Sequence, residues 1–137
     1  MTFPDDGFWN SRTSLREIKD YAVSRLVSPD AVLAVTLCRI IAATPPHVVL
    51  PPTIGSDYGS LNFGVVILGN PGPGKDAAFG AAKALVPDIR DAPVTSVASG
   101  QAISALFGQR VQEDGRFRLE CKSPRAMLRY SEASNFR

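Results

Sequence analysis

The sequence predicts an α/β fold in which a parallel sheet is preceded by two N-terminal helices. Residues 14–43 carry two segments of helical periodicity, each with a capping signal at its start. Residues 63–68 form a continuous apolar run, which is typical of a strand buried on both faces of a parallel sheet. A glycine-rich turn and an alanine-rich helical stretch follow this run directly. The order strand, turn and helix favours an α/β core.

The two predicted N-terminal helices begin at recognisable caps. Ser14 and Glu17 have the spacing of a capping box, and the apolar residues after them share one face at helical spacing. That face includes Leu15, Ile18, Tyr21, Ala22 and Leu26. Ser28 followed by Pro29 predicts a second helix start, and residues 31–43 are apolar nearly all round, as in a buried helix. Pro45 and Pro46 end that helix.

A turn-rich segment separates these helices from the rest of the chain. Residues 44–60 are rich in Pro, Gly and Ser, which favours a linker. We therefore predict a helical N-terminal part with a Pro-rich linker at 1–60 and a nucleotide-binding core at 61–137. In the core the patterns predict strands at 63–68, 94–98, 117–122 and 127–130, helices at 77–85 and 101–110, and a turn at 112–115.

Composition and charge set broad limits on function. The 137 residues correspond to about one globular domain, with 45 % hydrophobic and 20 % charged residues. The net charge is +2, and from residue 110 onward seven basic residues are interleaved with four acidic ones. A mildly basic tail is compatible with nucleic-acid contact, although the interleaved acids favour a solvated surface.

No targeting or membrane segment is apparent. The first residues are acidic and lack the basic-then-apolar pattern of a secretory signal. The longest apolar stretch, at 31–43, has about 13 residues, whereas a membrane-spanning helix needs ~20. Cys38 and Cys121 lack neighbours at metal-ligand spacing, which favours two buried or half-buried thiols in a reducing cytosol. We expect a cytoplasmic protein with no membrane partner.

The glycine-rich turn has the spacing G-x-x-x-x-G-K, which Gly69, Gly74 and Lys75 provide. Glycines let consecutive backbone N–H groups curl around a phosphate, and the following helix directs its positive end toward the anion. Lys75 supplies a positive charge to the outer phosphates. The predicted nucleotide-binding residues are Gly69, Asn70, Pro71, Gly72, Pro73, Gly74, Lys75, Asp76 and Ala77. A plain Gly/Pro turn between strand and helix is the alternative.

Two residues depart from the usual phosphate-binding loop. Asp76 stands where a Ser or Thr hydroxyl normally holds Mg²⁺, although a carboxylate can also ligate Mg²⁺. Pro73 removes one potential N–H donor from the loop.

An ATPase also needs an acidic residue at the end of a neighbouring strand, and Glu132 is the candidate. We predict ATP and Mg²⁺ as cofactors, Asp76 and Glu132 as metal ligands, and Glu132 as the residue that orients water. A surface glutamate is the alternative.

Six segments of the chain carry a family resemblance, at residues 8–12, 15–18, 28–29, 45–52 and 60–62 and in the loop at 69–76. Together they resemble P-loop ATPases of the primase/helicase-like type, which occur in bacterial and phage-derived mobile elements. The resemblance spans about residues 8 to 136 and departs from the family at Ser134, where an Asp is usual, and at Gln101, where a Glu is usual.

The resemblance implies a partial P-loop NTPase (RecA-like) core that acts in DNA replication. It further implies single-stranded DNA as a partner and a homo-oligomer of the full-length form. Relatives of this type continue well past the position of Arg137, so we expect a natural truncation or a fragment. For this chain alone, ATP binding is then a better expectation than ATP turnover.

Two other functions stay open at this point. A small nucleotide or metabolite kinase would explain the Gly74-Lys75-Asp76 sequence, with arginines at 110, 116 and 118 in a lid over the acceptor. A degenerate, non-catalytic remnant would explain Pro73 and Asp76. The segment Ser99-Gly100-Gln101 lies between a predicted strand and helix and either approaches a ligand or caps the helix.

Overall fold

The computed structural model describes residues 6–53, 55, 57–69, 74–87, 89, 92–96 and 100–130. The described part of the chain is a mixed α/β structure, in which all the described helices precede the two longest strands. In chain order its elements are α1 (Asp6–Asn10), α2 (Thr13–Ser24), α3 (Pro29–Ala43), β1 (Val49–Leu50), β2 (Gly59–Ser60), α4 (Gly74–Leu85), β3 (Val94–Thr95), α5 (Gly100–Phe107), β4 (Gly108–Glu113), β5 (Arg116–Cys121) and β6 (Met127–Leu128).

The chain forms two compact units. The first contains α1, α2, α3 as far as Ile41, and α4, whereas the second contains the six strands and α5. The helix α4 therefore shares a compact unit with the N-terminal helices, although the sequence predicted a domain boundary between them at about residue 60. That boundary between a helical part and a nucleotide-binding core stays a prediction.

The core of the first unit is built from small residues. Ala22 on α2, Val32 on α3 and Ala78 on α4 are completely buried, and Val27 and Ala81 complete the cluster. The three buried positions of α4 are Ala78, Ala81 and Ala82, which lie on one helical face. Through these residues α2 and α4 pack against each other.

The α2–α3 junction is a Schellman turn. The N–H of Val27 donates to the carbonyl of Ala22 at 3.0 Å, and the N–H of Leu26 donates to the carbonyl of Val23 at 3.0 Å. Leu26 occupies the left-handed position with φ of 56° and is 96 % exposed. Its predicted place on the buried helical face is therefore wrong, because the helix ends at Ser24.

The N-terminal cap predicted for α3 is present, whereas the one predicted for α2 is not. At α3, the predicted cap is confirmed, since the side-chain oxygen of Ser28 accepts from the N–H of Ala31 at 3.5 Å and Pro29 is the first helical residue. At α2, the predicted capping box does not form. The helix already begins at Thr13, and its N-cap residue Arg12 makes no side-chain capping hydrogen bond.

The second unit contains three two-stranded pairings. β3 and β6 run parallel, with Val94 opposite Met127, whereas β1–β2 and β4–β5 are antiparallel. The predicted parallel pairing of strands is thus present on a small scale, at 94–95 and 127–128. The α/β class is confirmed at this coarse level, and a P-loop NTPase core stays a proposal.

The β4–β5 hairpin replaces the end of a predicted helix. The helix expected at 101–110 stops at Phe107, because residues 108–113 pair with 116–121 through the full length of the hairpin. Asp114 and Gly115 form its two-residue turn, both with positive φ (51° and 74°). Asp-Gly is the sequence that such a mirror-image turn favours. At residues 108–110, cross-strand hydrogen bonding in the hairpin therefore overrides the helical periodicity of the sequence.

Candidate phosphate-binding site

The glycine–lysine sequence lies at the start of α4. Gly74 is the first helical residue, and Lys75, Asp76 and Ala77 complete the first turn. The N–H groups of a first turn have no partner within their own helix, and they carry the positive end of the helix dipole. Lys75 is half-buried, whereas Asp76 and Ala77 are exposed. The helix start thus combines the positive end of a helix dipole with one lysine.

Both described glycines of the loop lie in open space. A Cβ atom added to Gly69 or to Gly74 would meet no atom within 4 Å. Neither glycine is therefore required by packing against described residues. The backbone at Gly74 is instead accessible to a ligand, which is the arrangement that a phosphate needs for close approach.

The body of α4 is held in place at its opposite end. Arg39, from α3, is buried and donates from Nε to the carbonyl of Val86 at 2.8 Å and from Nη2 to the carbonyl of Pro87 at 3.2 Å. Burial lowers the pKa of the Arg39 guanidinium, which nevertheless stays charged at neutral pH because arginine does not deprotonate in proteins. A cation at the C-terminal end of a helix also suits the helix dipole.

The strand predicted ahead of the loop is wrong. None of the residues from Leu61 to Gly69 lies in a helix or strand. Val66 is 83 % exposed and Leu68 is 89 % exposed, so the apolar run is not buried on both faces. An apolar run becomes a central strand only where neighbouring strands supply hydrogen-bonding partners on both sides, and β3 pairs with β6 instead.

Several predicted site residues lie outside the described residues. These are Asn70, Pro71, Gly72 and Pro73 in the loop, Glu132 near the end of the chain, and Ser99. The roles proposed for them stay predictions. Of the predicted set, the structure describes Gly69, Gly74, Lys75, Asp76 and Ala77, and it brings the last four together on one helical turn.

A metal site is not assembled by the described part of the chain. Within it, no group of three or more His, Cys, Asp or Glu side chains lies close enough to hold a metal ion. The predicted pairing of Asp76 with Glu132 cannot be measured, since Glu132 is outside the described residues. Asp76 still offers an exposed carboxylate on the first turn of α4, and carboxylate oxygens are the ligands that Mg²⁺ prefers.

A shallow concavity of about 460 Å³ lies elsewhere, at the tip of the β4–β5 hairpin. Glu113, Asp114, Arg116 and Arg118 line it. Arg118 and Glu113 form an ion pair at 3.9 Å, but both side chains are about 70 % exposed, and such pairs contribute little. Because two acids and two bases balance each other there, the concavity has no preference for an anionic ligand. The start of α4 is the better phosphate site on chemical grounds.

Sequence reasoning missed the two arginines that anchor helix ends. Arg39 fixes the end of α4, and in the second unit Nη1 of Arg125 donates to the carbonyl of Ala43, the last residue of α3, at 2.6 Å. Ser123, which is buried, accepts from the Arg125 N–H at 3.4 Å and donates to its carbonyl at 2.6 Å. The sequence did carry a signal for Arg39, because it is a charged residue inside the apolar run 31–43 and a buried arginine needs hydrogen-bonding partners.

Comparison of the chain with models of known protein families, with curated proteins and with solved structures finds no match. Within the described residues, no helix combines the length and the apolar character needed to cross a membrane. The site must therefore be interpreted from its own geometry and chemistry.

Proposed function

We propose that the chain binds the phosphates of ATP at the start of α4. The observation that carries the proposal is the coincidence of Gly74 and Lys75 with an exposed helix N-terminus in open space. The helix dipole and the lysine charge both favour an anion at this place. The residues present fit a phosphate group: Gly74 leaves room for it, and Lys75 supplies a positive charge.

Magnesium would be held by Asp76 in this proposal, with Glu132 as the second acidic residue. The metal would neutralise phosphate charge when bound. Lys75 adds a second cation beside the same phosphates, and the buried alanine face of α4 keeps the helix start in a fixed orientation. Arg39 supports that orientation from the opposite end of the helix.

The wider role that we infer is a helicase/primase-like ATPase of DNA replication. It rests on the sequence resemblance, with single-stranded DNA as partner, a homo-oligomer of the full-length form and a cytoplasmic location. The kinase alternative receives no support from the hairpin, because arginines 110, 116 and 118 lie on paired strands and not in a lid segment. A non-catalytic remnant is the second candidate, favoured by the exposure of Val66 and Leu68 ahead of the loop.

Titration of the chain with fluorescently labelled ATP, with and without Mg²⁺, tests the proposal. Lys75→Ala should weaken binding by about tenfold or more, because a charge-assisted contact contributes about 1.5–3 kcal/mol. Lys83→Ala is the matched control, since Lys83 is exposed in the last turn of the same helix. Equal affinity of the wild type and Lys75→Ala would refute phosphate binding by this turn. Phosphate release stimulated by single-stranded DNA would favour the ATPase over the kinase and the remnant.

A further inference from the structure

The β4–β5 hairpin presents two faces of different chemistry. Residues directly opposite each other on antiparallel strands share a face, and successive residues alternate between faces. One face, which we call the Phe117 face, therefore consists of Gly108, Arg110, Gln112, Phe117, Leu119 and Cys121. The opposite face consists of Gln109, Val111, Glu113, Arg116, Arg118 and Glu120.

Charge is distributed unequally between these faces. On the opposite face the arginines are balanced by glutamates, with Arg118 near Glu113 at 3.9 Å, and Gln109 donates to Glu120 at 3.3 Å. The Phe117 face has Arg110 as a cation and no acidic side chain among the strand residues that the structure describes. This face is therefore the one that suits an anionic partner.

The apolar groups of the Phe117 face are open to solvent. Phe117 is 69 % exposed and Leu119 is 77 % exposed. The guanidinium carbon of Arg110 lies 5.9 Å from the centroid of the Phe117 ring, within the range of a cation–π contact. An exposed aromatic ring beside an arginine is the combination that binds single-stranded nucleic acid, in which a base stacks on the ring and the cation meets a phosphate.

We propose that the Phe117 face binds single-stranded DNA, with Phe117 stacking on a base and Arg110 contacting the backbone phosphate. This inference deepens the proposed function, because it places the DNA partner of that function on a particular surface. Duplex DNA is excluded as the ligand of Phe117, since paired bases stay stacked on one another and cannot reach the ring.

The size of the face argues against a second copy of the chain as the occupant. Two strands of six residues cover about 20 Å by 10 Å, on the order of 200 Å². A stable protein interface needs about 800 Å² on each partner. A few nucleotides of single strand, in contrast, fit on a surface of this size, where one stacked base contributes about 1–3 kcal/mol.

The test uses the full chain without nucleotide, and it follows the fluorescence anisotropy of a labelled oligothymidine. Phe117→Leu keeps apolar area but removes the aromatic ring, so binding should weaken by at least about fivefold. Phe117→Trp should keep or increase the affinity. Because residue 117 is exposed, both variants should retain the circular dichroism spectrum of the wild type.

Matched charge changes separate the two faces. Arg110→Gln should weaken binding more than Arg118→Gln, which removes the same charge from the opposite face. Equal effects of these two variants, equal binding by Phe117→Leu and the wild type, or tighter binding of a duplex or of oligouridine would each overturn the proposal. A wild-type dimer that Phe117→Leu converts to a monomer, in sedimentation without DNA, would likewise overturn it in favour of an interface between copies.

Failure of this inference is distinguishable from failure of ATP binding. If the wild type binds oligothymidine but not labelled ATP, the proposed ATP site fails and this inference stands. If the wild type binds labelled ATP but not oligothymidine, this inference fails and the ATP site stands.

Discussion

The guanidinium Nε of Arg39 donates a 2.8 Å hydrogen bond to the carbonyl oxygen of Val86, immediately after the last residue of α4. The contact joins two residues that lie 47 positions apart in the sequence. It satisfies a carbonyl that the helix itself cannot pair and places a positive charge at the negative end of the dipole. The helix that starts with Gly74 and Lys75 is thus tied to α3 at the end remote from the proposed phosphate site.

Replacing Arg39 should destabilise the first unit. Arg39→Met removes the hydrogen bonds to the carbonyls of Val86 and Pro87 while keeping apolar volume, so the free energy of unfolding should fall by about 1–3 kcal/mol. Urea denaturation followed by circular dichroism measures this change. Arg16→Met on the exposed side of α2 is the control and should stay within about 0.5 kcal/mol of the wild type. Identical midpoints for all three proteins would contradict the anchoring role of Arg39.

Replacing Leu26 with glycine should stabilise the protein. The residue has a left-handed backbone, which costs an L-residue about 1 kcal/mol or more, and its side chain is 96 % exposed. Leu26→Gly should therefore raise the free energy of unfolding by about 0.5–1 kcal/mol, after the greater chain entropy of glycine is counted. Leu26→Ala keeps the backbone penalty and serves as the control. A thermal midpoint that rises as much for the alanine variant as for the glycine variant would rule out this explanation.

Two glycines of α4 should respond differently to alanine. Gly80 is exposed in the helix interior with open space around its Cβ position, so Gly80→Ala should stabilise the protein by about 0.5–1 kcal/mol and leave ATP affinity unchanged. Gly74→Ala is equally unobstructed by the described residues, but its Cβ would occupy the space next to the backbone that a phosphate needs. We expect a several-fold loss of ATP affinity without a loss of stability. Unchanged ATP affinity in Gly74→Ala would show that the phosphate does not approach this residue.

The two cysteines should differ in reactivity. Cys121 is exposed, so the predicted burial of both thiols is wrong for this residue. Cys38 is half-buried, and burial raises the pKa of its thiol, an effect only partly offset by a backbone hydrogen bond. A raised pKa means less thiolate at neutral pH, so Cys38 should react more slowly with a disulfide reagent, and its rate should keep rising at alkaline pH. In urea the two thiols should react alike. Equal rates in the folded protein would contradict the burial of Cys38.

Local signals predicted α3 well, but they missed α1, and the capping box predicted for α2 does not form. The α3 helix begins at Pro29 after the Ser28 cap, as expected, and it ends at Ala43 ahead of the predicted proline stop. Hydrogen bonds in a helix join residues four positions apart, so a short window of sequence contains most of what determines it. The hairpin turn at Asp114 and Gly115 is local in the same sense.

Non-local pairing could not be predicted in the same way. The apolar run 63–68 has the composition of a buried strand, but a strand forms only where partners exist, and Val66 and Leu68 are exposed. Residues 108–110 continue a helical pattern, but they pair with 119–121 and become part of β4. Cross-strand hydrogen bonds of the hairpin decided the second outcome, and residues 63–68 have no strand partner among the described residues.

The sequence by itself determined the α/β class at a coarse level, the helices α2 and α3 and the glycine–lysine pattern, because periodicity and turn residues act over a few positions. It did not predict the short helix α1. Only the tertiary structure decided that Lys75 lies on the first turn of a helix anchored by Arg39, and that Arg110 lies beside Phe117 on the acid-free face of a hairpin. The physical reason is the same in each case, since these contacts join residues that only the folded chain brings together.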